Sequence, residues 1–299
     1  MEREHWSELS EAISQVEQRF PVNQRDAYPT ARIVRVYVWA VIHNAAVRWA
    51  CKPQNWDHAT RPAELPTQST MSRRLRRDDC AQFLQKIERA LAGRPVGLQL
   101  VKRLDGKPLS IPAHSTDPDA GWGRGAGQKA NGYKLHVIWA GRPMPEAWRI
   151  APLNVSEHEM ARRMLRDLDG AGYVLADKNY DSNQLFDQAA RRQHQLLCPR
   201  RYGHRRGLGH RQQSSHRLRC KDLLEGPTAT LTGFGRELWR QRRQVERDFA
   251  HAGSFTGGLQ ALPPWVRRYP RVRLWVWAKL IINAARIRCL QARSTDVAA

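Results

Sequence analysis

No two of the chain's cysteines stand at CxxC spacing. Cys51, Cys80, Cys198, Cys220 and Cys289 are few, odd in number and widely separated. That pattern argues against a disulfide framework or a structural zinc site and fits a reducing compartment. An apolar signal core is also missing from the opening residues MEREHWSELSEA. Long hydrophobic runs are lacking too. The most apolar stretches, Val36–Ala50 and Leu274–Ile282, are interrupted by His43, Arg48 and Lys279, which leaves them too short or too charged to span a bilayer. Acidic residues are scarce. Fifty Lys and Arg face 28 Asp and Glu, a formal charge of +22 over 299 residues. Such an excess costs self-repulsion in the compact state and implies a polyanionic partner. Nucleic acid ranks ahead of an anionic membrane, because the basic residues are spread along the chain and not gathered on one amphipathic helix. The expectation is a soluble, cytoplasmic, DNA-facing protein with no membrane partner.

What is present is 41% hydrophobic residues, enough for a sizeable core and one or two domains. Residues 5–20 read as a helix that stops at Pro21. Residues 29–51 read as one stronger helix, with Ile33, Val36, Tyr37, Ala40, Val41 and Val47 at helical spacing. After a Pro-rich loop, Thr67, Ser69 and Thr70 are candidate N-caps for a short basic helix carrying Arg73, Arg74 and Arg77. A further helix begins at Asp78 and ends near Gly93.

From Gly97 the texture changes. VGLQLVKRLDGKPLSI reads as an extended segment broken at the turn-forming dipeptide Asp105-Gly106. A Gly-rich loop, Gly121–Gly132, leads into the strand YKLHVIWA, and AWRIAPLNV is a second strand. Helix 157–169, the short buried strand YVLAD, helix 183–192 and the strand HQLLCP follow. This order implies a mixed α/β domain. Residues 200–221 form a basic loop with His204, His210 and His216, read as a solvated insertion or a phosphate contact, with zinc as a minor alternative. Residues 235–252 and 271–290 are helical. The segments VRVYVWAVIHNAA and VRLWVWAKLIINAA resemble each other, as two apolar helices packing in one layer would.

Three acids could carry chemistry: Asp105 at the end of the first predicted strand of the α/β region, Asp177 at the end of YVLAD, and Glu246 in the helix WRQRRQVERDF. Brought together, three carboxylates would suit Mg²⁺, a hard cation that takes oxygen ligands. Without metal they would repel and raise at least one pKa. From spacing alone each is more simply a surface charge, and Asp177 could merely cap its loop. Trp239, Arg242 and Glu246, at i, i+3 and i+7, share a helical face. They could be a stacking aromatic, a phosphate-binding guanidinium and a carboxylate, or a core Trp beside an ordinary ion pair.

The segments RLDGKPL, KANGYKLHVI, YVLADKNYDS, WRQRRQVERDF and GGLQALPPWVRRYPRV resemble those of bacterial insertion-sequence transposases of the DDE kind. The resemblance runs over roughly residues 97–290. It implies a ribonuclease-H-like mixed sheet flanked by helices at 97–254, an N-terminal all-α DNA-binding region at 1–93, and a C-terminal helical segment at 255–299 packing on either. It implies that Asp105, Asp177 and Glu246 are catalytic and hold Mg²⁺ or Mn²⁺, two ions in all. Asp117, in AHSTDPDAG, is the rival for the first acid. DNA contacts would come from Arg73, Arg74, Arg77, Lys178, Trp239 and Arg242. Trp239 stands where the family signature has Tyr, and Gly253 where a basic residue often follows. The implied partners are double-stranded DNA, both element ends and target, and a second copy in a homodimer on DNA, in a nucleoid-associated setting. Rival readings are another metal nuclease on the same fold or an inactive DNA-binding regulator.

Overall fold

The computed structural model describes residues 2–21, 25–92, 99–112, 116–125, 127–202 and 212–298. The chain divides into two compact units, Met1–Arg94 with His251–Ala299, and Pro95–Ala250. It opens with helices α1 (Glu2–Glu17), α2 (Thr30–Ile42), α3 (Val47–Ala50), α4 (Gln68–Arg74) and α5 (Asp78–Ala92). Strands β1 (Val101–Ser110), β2 (Gly121–Gly125), β3 (Gln128–Trp139) and β4 (Ala147–Pro152) follow. Then come α6 (Glu157–Arg166), β5 (Gly172–Leu175), α7 (Asn183–Ala190) and β6 (His194–Leu197). The last helices are α8 (Ser215–Glu225), α9 (Pro227–Thr232), α10 (Phe234–Arg240), α11 (Gln244–Gly253) and α12 (Tyr269–Ala298).

In the first unit the described regular elements are helical. Helix α2 is buried along nearly its whole length, as expected of a helix that is apolar on every side. Helices α1, α5 and α12 pack around it, so the two similar apolar segments meet as α2 and α12. The helix expected over 29–51 is interrupted. Asn44 takes φ 50°, a left-handed conformation that Asn tolerates better than most residues, and ends the helical run. Lys279 of α12 is 1% exposed and seals this break. Its Nζ donates to the carbonyls of Val41 (2.8 Å) and Gly257 (2.8 Å) and to Asn44 Oδ1. Trp6, Trp39 and Trp56 form an aromatic cluster beside it, with Trp39 and Trp56 stacked at 4.6 Å.

The second unit is a six-stranded mixed sheet in the order β2-β3-β1-β5-β6, with β4 also on β3. Strand β3 pairs antiparallel with β1, β2 and β4, whereas β1–β5 and β5–β6 are parallel. The core lies between this sheet and α6, α7, α8 and α10, around Leu104, Met164, Leu165, Val174, Phe186 and Leu196.

Two sequence expectations fail here for one reason. Asp105-Gly106 makes no turn, because β1 runs straight through it. Ladder pairing of Asp105 with Val137 and of Gly106 with His136 on β3 sets the backbone there. Within the loop expected at Gly121–Gly132, residues 121–125 form strand β2 and residues 128–132 begin β3, and Gly121, Gly123 and Gly132 face close neighbours. In the basic segment 200–221, residues from Ser215 onward are helical, and His204 and His210 lie outside the described residues.

Candidate active site

Strand register brings two of the acids together. Arg103 on β1 pairs with Leu175 on the parallel strand β5. Asp105 comes two residues farther along β1 and Asp177 two residues past the end of β5, close enough for the charge of Asp177 to act on Asp105. Asp105 accepts from its neighbour's backbone, Gly106 N, at 2.8 Å and from Arg242 Nη2 at 3.0 Å. Asp177 caps the 3₁₀ turn Lys178–Tyr180, accepting from Asn179 N at 2.8 Å and Asn179 Nδ2 at 3.3 Å.

The segment 242–249 is held along one face of β1. Arg103, Asp105 and Lys107 alternate outward on that strand. Arg103 pairs with Asp248 at 3.1 Å, Asp105 with Arg242, and Lys107 places its ammonium 5.9 Å from the Phe249 ring centroid. Glu246 is reached through Arg242, whose Nη1 stands 3.5 Å from Glu246 Oε1. The Glu246 side chain is 69% exposed. A 3₁₀ turn at Gln241–Arg243 separates α10 from α11, so Trp239 does not lie on one continuous helix with Glu246.

The electrostatics follow from this crowding. Burial pushes the Asp105 carboxyl above its ordinary value. Asp177 pushes it further, while the Gly106 amide, Arg242 and Lys134 pull it back. Tyr180 is fully buried and its hydroxyl has no hydrogen-bond partner among the described residues. Burial first, then Glu157, Asp105 and Asp177, drive its phenol far upward. Glu157, paired with Lys134, therefore belongs to the same neighbourhood. Sequence reasoning passed over Tyr180, Glu157 and Lys134. The apolar strand before Asp177 signalled the acid but nothing signalled its buried companions.

Among the described residues no three His, Cys, Asp or Glu side chains converge closely enough to hold a metal ion. The pair Asp105 and Asp177 still fits one chemically. Both offer hard oxygen donors, and their mutual repulsion is the kind that a divalent cation relieves.

Other expected site residues fall elsewhere. Asp117 is 6% exposed and turned inward, with Oδ2 accepting from Tyr133 Oη at 2.8 Å and Oδ1 from Asp119 N at 3.1 Å. Trp239 is half-buried against the core, and its indole N–H donates to the Ala176 carbonyl at 3.0 Å. The bond ties the indole edge to the backbone just before Asp177. Lys178 is exposed. Arg217, from the basic segment, is bound to Asp181, whose side chain is 3% exposed.

In the first unit Arg74 corrects the sequence reading. It is 6% exposed and donates to Tyr28 O, Thr30 Oγ1 and Asp79 Oδ2, with Asp26 also in contact. A guanidinium so committed cannot reach DNA. Arg77 is half tied to the same cluster through Asp26 and Asp79, whereas Arg73 is exposed. No helix among the described residues is long and apolar enough to cross a membrane.

A family model described as the transposase DDE domain matches residues 104–281, a span that contains all three acids. No curated protein matches the chain. Among solved structures, a cryo-EM structure of a piggyBac transposase synaptic complex with hairpin DNA is similar with a TM-score of 0.45 at 7% identity. That match covers 97% of this chain and 73% of the other.

Proposed function

Because the chain belongs to the transposase DDE-domain family, we propose that it cuts DNA at the terminal inverted repeats of an insertion sequence and joins the freed ends to target DNA. Asp105, Asp177 and Glu246 are its carboxylates for two Mg²⁺ or Mn²⁺ ions. The observation that carries this reading is the nearness of Asp105, on β1, to Asp177, two residues past the end of the parallel neighbour β5, with Arg242 linking Asp105 to Glu246. The mixed sheet supports a ribonuclease-H-like catalytic domain.

Bound divalent ions would stabilise both the attacking and the leaving oxygen of an in-line displacement at phosphorus. The protein's own groups do the rest. Asp105 and Asp177 are fixed by the sheet, so they need little reorganisation on binding. Arg242 balances Asp105 in the free protein and turns to a DNA phosphate when one arrives, which frees Glu246 to join the other two acids. Lys178, exposed just after Asp177, holds a neighbouring phosphate. Trp239 positions the backbone leading into Asp177. Cleavage and joining are both in-line displacements, so one site serves both steps without a covalent protein–DNA bond. Two element ends call for two such sites, hence a homodimer on DNA. The helical unit, with Arg73 exposed, contributes further phosphate contacts.

The test is a cleavage and strand-transfer assay on duplexes bearing the element ends, with Mg²⁺ or Mn²⁺. Asp177→Ala is expected to abolish both steps while DNA binding persists. Unimpaired cleavage would remove Asp177 from the site. Cutting without joining would favour a nuclease of the same fold.

A further inference from the structure

The hairpin of β2 and β3 carries a cluster that the proposed chemistry leaves unused. Strand β2 reads Gly121-Trp122-Gly123-Arg124-Gly125, with glycine at every second position. Side chains alternate faces along a strand, so one face of β2 is bare backbone and the other shows Trp122 and Arg124. The bare face is required. A Cβ at Gly123 would stand 2.3 Å from the Leu153 carbonyl oxygen, and one at Gly121 would stand 2.1 Å from the Asn154 side chain. Residues 153–154 thus back the strand closely and fix the direction of its other face.

That other face is open and cationic. Trp122 is 61% exposed, and Lys129 sits 5.5 Å from its ring centroid. Arg124 lies directly opposite Lys129 in the register, a like-charge pair that costs stability in the free protein. The stretch 121–131 contains no acidic residue. An open indole between two repelling cations matches a polyanion with flat rings.

The sheet ties this cluster to the acids. Asp105 pairs with Val137, and Trp122 with Asn131, on the same strand β3. Positions 131 and 137 have the same parity, so Trp122 and Asp105 belong to one face of the sheet. Six strand residues span about 20 Å, which is about six nucleotide steps at roughly 3.4 Å per phosphate. We propose that Trp122, Arg124 and Lys129 form a DNA-holding platform for the strand whose scissile phosphate lies at Asp105 and Asp177. The grip falls about six nucleotides from the cut. Arg124 and Lys129 take phosphates, and Trp122 packs on a sugar or an unstacked base. The platform rests on the transposase reading above.

The experiment uses the full chain and a fluorescent duplex of the inverted repeat bracketing its coding region, with binding measured in EDTA and cleavage in Mg²⁺. Trp122→Ala, and Arg124→Ala with Lys129→Ala, should each weaken binding about tenfold. The double variant should lower the salt slope by about two, with a melting temperature no lower than that of the wild type. A photoreactive benzophenone side chain placed at position 122 should cross-link about six nucleotides from the cut. Wild-type affinity and slope in both variants, or cross-links confined to nucleotides at the cut, would overturn the platform while wild-type cleavage leaves the transposase reading intact. A wild type that neither binds nor cuts the duplex overturns both.

Discussion

Arg242 Nη2 stands 3.0 Å from Asp105 Oδ2, across 137 residues of sequence. A guanidinium therefore holds the counter-charge of an acid whose ionisation burial opposes. Arg242 pulls the raised Asp105 pKa back down. Removing it should leave that pKa higher still. The acid limb of kcat/KM, which reports the free protein, should then move to higher pH in Arg242→Gln. A pH–rate profile reads this directly. An acid limb identical to wild type would show that Arg242 does not control Asp105.

Asp117 and Asp105 should separate cleanly. The Asp117 carboxylate is spent on Tyr133 and the Asp119 amide, so Asp117→Asn should lose about 1–2 kcal/mol of stability and keep metal-dependent cleavage. Asp105→Asn should do the reverse. Urea melts and cleavage rates on both variants decide it, and loss of cleavage in a stably folded Asp117→Asn protein would restore the rival assignment.

Arg74 and Arg73 offer the same kind of contrast in the helical unit. Breaking a buried ion pair by deleting one partner costs about 3–5 kcal/mol, so Arg74→Ala should unfold at markedly lower denaturant. Arg73→Ala should leave the melt unchanged and lower the salt slope of DNA binding by about one.

How much of this was legible beforehand differs from residue to residue. YVLAD announced a buried strand ending in an acid, because a short apolar run bounded by turn residues has few other solutions. Asp105-Gly106 misled, because its local turn preference loses to ladder pairing with Val137 and His136 of β3, a partner the sequence cannot reveal. The burial of Arg74 was illegible for a related reason. Its partners Asp26 and Tyr28 come from a different stretch of chain. Trp239 had been left open between DNA stacking and core. Its bond to the Ala176 carbonyl and its packing against the core give it a place behind Asp177.

Lys279 should make stability depend on pH. Among the described residues no carboxylate pairs with it, and burial pulls its ammonium down to about 7. The unfolded chain binds a proton that the folded chain has released above that value. Stability should therefore rise with pH from about 7 toward the ordinary lysine range near 10. Lys279→Met should flatten this rise. It should also cost a few kcal/mol by stranding the Val41, Gly257 and Asn44 acceptors. Urea melts across that range test both.

The most direct test of the central claim is Mn²⁺ binding to the protein–DNA complex, read by electron paramagnetic resonance in wild type, Asp105→Asn, Asp177→Asn and Glu246→Gln. A shared carboxylate site predicts that each substitution alone weakens Mn²⁺ binding at least about tenfold, as the loss of a charged oxygen ligand should. Undiminished Mn²⁺ binding in the Asp105 and Asp177 variants would contradict it.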